Sequence, residues 1–179
     1  AHGLEDLPRA DALYARAQAA MAIAYPQGSP DQAILLNNRA LLAEDRGDRA
    51  TALALHRQSL AMRRKVFSSE HPMTLTALTN VARVSLETGE AKQALPLAEA
   101  AGAMADRVYA DAPNGRHAST WATVADVRLA NGDVAGASAA LRRADAVLAP
   151  VKDPAPSMLA YLDKVRARVC TTAAACQAR

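Results

Sequence analysis

Apolar positions recur at spacings of three and four residues along most of the chain, and no stretch alternates with a period of two. That is the pattern of amphipathic helices rather than strands. The runs predict helices over about 7–24, 30–46, 48–67, 73–88, 90–109, 117–130, 133–148 and 157–169. In the first, Ala10, Leu13, Tyr14, Ala17, Met21 and Ala24 fall on overlapping i+3/i+4 rows, with Asp6 as the expected N-cap and Pro8 in the first turn. In the last, Met158, Tyr161, Leu162, Val165 and Val169 form one stripe, and Asp163, Lys164, Arg166 and Arg168 fall on the other side. One apolar and one charged face suits a helix that caps a stack.

The breaks between helices are periodic too. RGDR (Arg46–Arg49), TGEA (Thr88–Ala91) and NGDV (Asn131–Val134) place their glycines 42 and then 43 residues apart. Pro72 follows Pro30 by 42 residues as well. A Gly-acid pair returning at one period marks repeated helical hairpins. Ser29 is the expected N-cap of the first full repeat, with Pro30 in the first turn and Gln32 as its capping-box partner. Asp48, Glu90 and Asp133 are expected in first turns, where carboxylates favour the helix dipole. Pro96 lies inside a predicted helix and is expected to bend it.

Composition agrees with an all-α chain. Hydrophobic residues make up 51% of the 179 but aromatics only 3%, so small aliphatic side chains must fill the core. The net charge is +3 and the pI about 9.1. The densest basic run, Arg63-Arg64-Lys65, sits where a helix C-terminus favours cations, and no nucleic-acid partner is expected. No window approaches the ~18 apolar residues a membrane helix needs. No signal peptide is visible, and the chain reads as opening on the second helix of a repeat.

Aligned on the glycines, the three units resemble tetratricopeptide repeats. Trp121, Val124, Ala125 and Ala137 match the Trp, Leu, small and Ala places of that pattern in the third repeat. Leu78, Val81, Ala82 and Ala94 take them in the second, and Leu36, Arg39, Ala40 and Ala52 in the first. The 42-residue period, Leu36-Asn37-Asn38 and SSEHP (Ser68–Pro72) are similar to the kinesin-light-chain subtype. Arg39, His56 and Arg128 depart from the hydrophobic or aromatic residues of the pattern, which points to looser packing or local polar contacts.

The resemblance implies a right-handed α-α superhelix of about 3.5 helical hairpins over the whole chain. Its parts are a half repeat at 7–27, repeats at 30–68, 72–110 and 114–149, a capping helix at 156–170 and a tail at 171–179. It also implies a concave face built by the first helix of each hairpin, able to take a peptide or partner segment. Helical geometry then selects Ile34, Asn37, Asn38, Leu41, Glu44 and Asp45 in the first repeat. It selects Thr76, Thr79, Asn80, Arg83 and Glu87 in the second, and Ser119, Ala122, Thr123, Asp126 and Ala130 in the third. A solvated wall needs such polar residues whether or not it binds anything. The Lys/Asn clamp that related modules close on a C-terminal carboxylate is missing, since Asn37 and Leu41 stand at its places. Self-association through the N-terminal half repeat is a further expectation, and a ligand-sensing domain of a larger bacterial signalling protein is the runner-up to a scaffold.

Little in the sequence points to catalysis. His71 and His117 are expected as capping or turn residues. No His or Cys spacing fits a metal, and no phosphate loop or nucleophile elbow appears, so neither an enzyme nor a cofactor is expected. Cys170 and Cys176 are either a small disulfide loop, which would place the segment in an oxidising compartment, or two free thiols.

Overall fold

A computed structural model describes residues 7–67 and 70–172. Among them every regular element is an α-helix: α1 (Leu7–Ala24), α2 (Pro30–Asp45), α3 (Arg49–Val66), α4 (Pro72–Glu87), α5 (Ala91–Val108), α6 (Gly115–Ala130), α7 (Val134–Leu148) and α8 (Pro156–Thr172). They form two compact units, Ala1–Thr88 and Gly89–Arg179. Asp6, Ser68, Ser69 and Cys176 lie outside the described residues.

The recurring tetrapeptides divide the work of a hairpin turn between them. At the end of α2, Gly47 N donates to Glu44 O at 2.9 Å and Asp48 N to Ala43 O at 2.9 Å. At the end of α6, Gly132 N donates to Leu129 O at 2.9 Å and Asp133 N to Arg128 O at 3.0 Å. This pair of reversed bonds satisfies the last carbonyls of a helix and requires a left-handed residue between them. Gly47 (φ +76°) and Gly132 (φ +83°) supply it without steric cost. The acid that follows starts the next helix. Asp48 accepts from Thr51 N at 3.0 Å and Asp133 from Gly136 N at 2.8 Å, so both are N-caps rather than first-turn residues. Glu90 occupies the same N-cap place without a side-chain cap bond.

Between hairpins the caps differ in chemistry. Ser29 Oγ accepts from Gln32 N at 3.1 Å. The reciprocal half of the expected capping box is not made, because Gln32 Nε2 reaches instead to Met21 O of α1 at 2.9 Å. His71 caps α4 through Nδ1, which accepts from Met73 N at 3.1 Å, while its ring stacks on Phe67. Asn114 caps α6 by accepting from Arg116 N and His117 N. His117 is therefore no cap; it is a buried side chain in the first turn.

Small residues set the packing distance. Ala33, Ala40 and Ala52 in the first unit, and Ala98, Ala125, Ala137 and Ala144 in the second, are completely buried. With a methyl at the contact, helix backbones approach closely and larger neighbours lock into the gaps. Leu36, Ala40 and Leu55, with Met62, make one core cluster, and Ala118, Val147 and Met158, with Trp121 and Leu148, make another. α5 continues as one helix through Pro96. The proline lies on the exposed side of the helix, where the carbonyl that its missing N–H leaves over faces solvent rather than the core.

Of the stripe read from the sequence, α8 buries Met158, Leu162, Val165 and Val169 and leaves Tyr161 half-buried, and it runs on through Cys170 to Thr172. Cys170 is disulfide-bonded. The chain's only other cysteine, Cys176, lies outside the described residues.

Candidate interaction face

In the first unit α2 and α4 are linked by two polar contacts. Asn80 Nδ2 donates to Asn37 Oδ1 at 3.2 Å. One turn along, Arg83 bonds Glu44 Oε1 at 2.9 Å and pairs with its Oε2 at 2.8 Å. The Glu44 pair extends both ways. His56 Nε2, wholly buried on α3, lies 2.7 Å from Glu44 Oε1, and Arg83 also holds Glu87, which pairs with Arg49 at 2.9 Å. A carboxylate can only accept, so His56 carries its proton on Nε2 in this contact. Burial disfavours charge on Glu44, but the bond from His56 and the Arg83 guanidinium outweigh it and hold the carboxyl below its usual range. Burial likewise opposes the Arg83 charge, and Glu44 and Glu87 more than restore it.

These pairings decide which predicted face residues remain open. Thr76 Oγ1 donates to Pro72 O and Thr79 Oγ1 to Leu75 O, both at 3.0 Å, so these donors serve their own helix. Asn38 is half-buried and makes no side-chain hydrogen bond among the described residues. Ile34 and Leu41, two turns apart on α2, are 39% and 42% exposed, and Asp45 continues the same row.

The second unit treats the equivalent residues differently. α8 packs on α6, with Arg168 paired to Asp126 and Tyr161 Oη 3.2 Å from Thr123 Oγ1. Ala122, Thr123 and Asp126 are consequently buried, Ser119 is half-buried with its hydroxyl donating to Gly115 O, and Ala130 is exposed at the end of the helix.

The three departures from the repeat pattern are polar contacts, not loose packing. Arg39 donates to Gln18 Oε1 at 2.5 Å and to Asp11 at 3.2 Å, fastening α2 to α1. Arg128 pairs with Glu99 at 2.7 Å, and His56 meets Glu44 as above. Arg63 stands in the last turn of α3, where a cation suits the helix dipole, and it is also buried, its guanidinium donating to Met73 O at 2.5 Å. Its place on the apolar side of α3, seven residues after His56, was the signal in the sequence.

Among the described residues, no three His, Cys, Asp or Glu side chains gather as a metal site, and no helix is long and apolar enough to cross a membrane.

Comparison with known proteins agrees on the architecture. Residues 31–107 match the model of the tetratricopeptide repeat. No curated protein matches the sequence. Among solved structures, the chain is similar to the nearly identical TPR-like repeats of a protein described as a kinesin light chain from Podosopora anserina. Identity there is 21% and the TM-score 0.68, over 97% of this chain and 90% of the other. It is also similar to BtubC (BKLC) from P. vanneervenii, at 18% identity and a TM-score of 0.73. That match covers 80% of this chain and 57% of that one. The Sgt2 TPR domain of Aspergillus fumigatus follows at 17% identity and a TM-score of 0.55, covering 81% and 83%. At these identities the likeness is one of fold. Residues 31–107 thus match the tetratricopeptide repeat by sequence, and the chain as a whole is similar in fold to the TPR-like repeats of kinesin light chains.

Proposed function

We propose that the chain is a protein-interaction module, and that in its first unit the α2–α4 face takes an extended peptide or partner segment. The tetratricopeptide repeat is a non-catalytic interaction fold, which supports the general reading. The observation that carries the specific one is the exposed pair Ile34 and Leu41. Two aliphatic side chains on one helix row, flanked by Asn38 and by the Arg83–Glu44–His56 network, combine apolar anchors with a polar rim. The network also fixes α4 beside α2 before any partner arrives, which lowers the ordering cost of binding. Site-specific photocrosslinking tests this. A photoreactive residue at position 41 captures a discrete partner in host extract, whereas the same residue at exposed Ala54 of α3 does not. Equal capture from both positions would move the contact off this face.

Self-association through α1 belongs to the same reading. Leu13 and Ile23 are 54% and 85% exposed on a helix that buries no residue completely, and sedimentation of an Ile23→Glu variant tests it.

A ligand-sensing role in an extracytoplasmic part of a larger signalling protein is the second reading. The bonded state of Cys170 favours it, because disulfides persist in oxidising compartments. Two reactive thiols in native, unreduced protein would remove that support.

A further inference from the structure

The two units repeat the same three-helix cell with different contents. α5, α6 and α7 begin 84, 85 and 85 residues after α1, α2 and α3, so each position in the second cell has a counterpart in the first. In the second cell the indole of Trp121 packs close to Gly102, and three donors converge on Asp106 Oδ1. These are His117 Nε2 at 2.7 Å, Trp121 Nε1 at 3.0 Å and Arg143 at 3.1 Å.

In the first cell the counterparts of Trp121 and Asp106 are Leu36 and Ala22, and those of His117 and Arg143 are Gln32 and Gln58. The indole is replaced by a smaller side chain and its carboxylate anchor is gone. A groove of about 410 Å³ lies there, walled by these four residues together with Gln18 and Met62. That volume falls within the range of small-molecule sites.

A second feature of the same wall calls for a donor. Gln32 is only 7% exposed, and its Oε1 has no hydrogen-bond partner. The amide orientation is fixed from the other end, because Nε2 donates to Met21 O at 2.9 Å and a flipped amide would set two oxygens against each other. A buried acceptor without a partner is costly, so a ligand that supplies N–H or O–H gains more there than its contact area alone gives.

We infer that the groove between α1, α2 and α3 binds a small, planar, largely apolar molecule of indole size bearing one hydrogen-bond donor. The ring takes the space that Trp121 fills in the second cell, against Leu36 and Met62, and the donor meets Gln32. This site draws on α1 and α3 and is independent of the α2–α4 face.

Indole itself is the probe. Calorimetry and methyl NMR on the whole chain should show saturable 1:1 binding with Kd on the order of a millimolar, with the Met62 and Leu36 methyl signals moving together. Leu36→Trp fills the groove from within and Ala22→Phe closes it from an exposed position of α1, so at least one should fold; in either, indole binding is lost. Benzothiophene, which has the same shape without the N–H, should bind several-fold more weakly. Equal affinity for the two rings overturns the role given to Gln32. No saturable indole binding, or binding unmoved in a folded filling variant, overturns the site.

Discussion

His56 Nε2 lies 2.7 Å from Glu44 Oε1, joining the buried side of α3 to the end of α2, and the same carboxylate receives Arg83 from α4. One side chain thus ties three helices together while bordering the face where a partner is proposed to lie. The contact makes the first unit sensitive to the charge of Glu44.

Glu44→Gln should therefore destabilise the protein at pH 7, by about 1–3 kcal/mol, since His56 and Arg83 lose a charged acceptor. The Glu44 carboxyl is held below its usual range in the folded state. Its contribution is thus complete above the unfolded-state value of about 4.3 and disappears as pH falls through the folded value. Urea titrations of wild type and variant should show a gap that is full at pH 7 and narrows below about pH 4. A gap unchanged down to pH 3 would contradict the pairing.

The turn glycines predict a different signature. A Cβ on Gly47 would meet nothing within 4 Å, so only its positive φ opposes substitution. Gly47→Ala should cost about 1–2 kcal/mol, and Gly47→Asn distinctly less, because asparagine tolerates the left-handed region. Gly102 shows the other reason for a glycine. Its added Cβ would lie 3.1 Å from Val124 Cγ2 and 3.3 Å from the Trp121 ring, so Ala and Asn should both be destabilising there, the larger one more so. Thermal melts of the four variants separate backbone strain from crowding.

Much of this architecture could be read before any coordinates. Glycine, acid and proline punctuation located the hairpins because each residue does a local job: a left-handed turn, an N-cap, a first turn. The alanine contacts and the stripe on α8 were legible for the same reason, since periodicity alone defines a buried face. The polar pairings were not. Arg39, His56 and Arg128 stood out as wrong for their places, but their partners Gln18, Glu44 and Glu99 are 12 to 29 residues away, and only packing brings them together. Arg63 stands in the last turn expected of a dipole cation, but its burial and its bond to Met73 O depend on how α3 packs against α4. The buried state of Thr123 and Asp126 depends on where α8 lies, which its own amphipathic pattern does not say.

Docking of α8 should be a large term for the second unit. Leu162 is 1% exposed, and Leu162→Ala should cost about 2–5 kcal/mol through lost burial and the cavity left behind. Arg168→Ala, which removes the partner of Asp126 from a side chain still half in solvent, should cost less than half as much. Denaturant midpoints for the two variants check the order, and a larger effect at Arg168 would mean that charge rather than packing seats the helix.

The most direct test of the interaction reading is binding of the partner captured from position 41, purified and titrated by calorimetry. Leu41→Arg and Ile34→Arg place a charge on exposed positions of α2 and leave the Glu44 network intact, whereas Arg83→Glu would set a second carboxylate against Glu44 and confuse folding with binding. The account predicts at least about a tenfold loss of affinity for each α2 variant and less than about a twofold change for Ala54→Arg on α3, with unchanged circular dichroism throughout. Undiminished binding by Leu41→Arg and Ile34→Arg would contradict it.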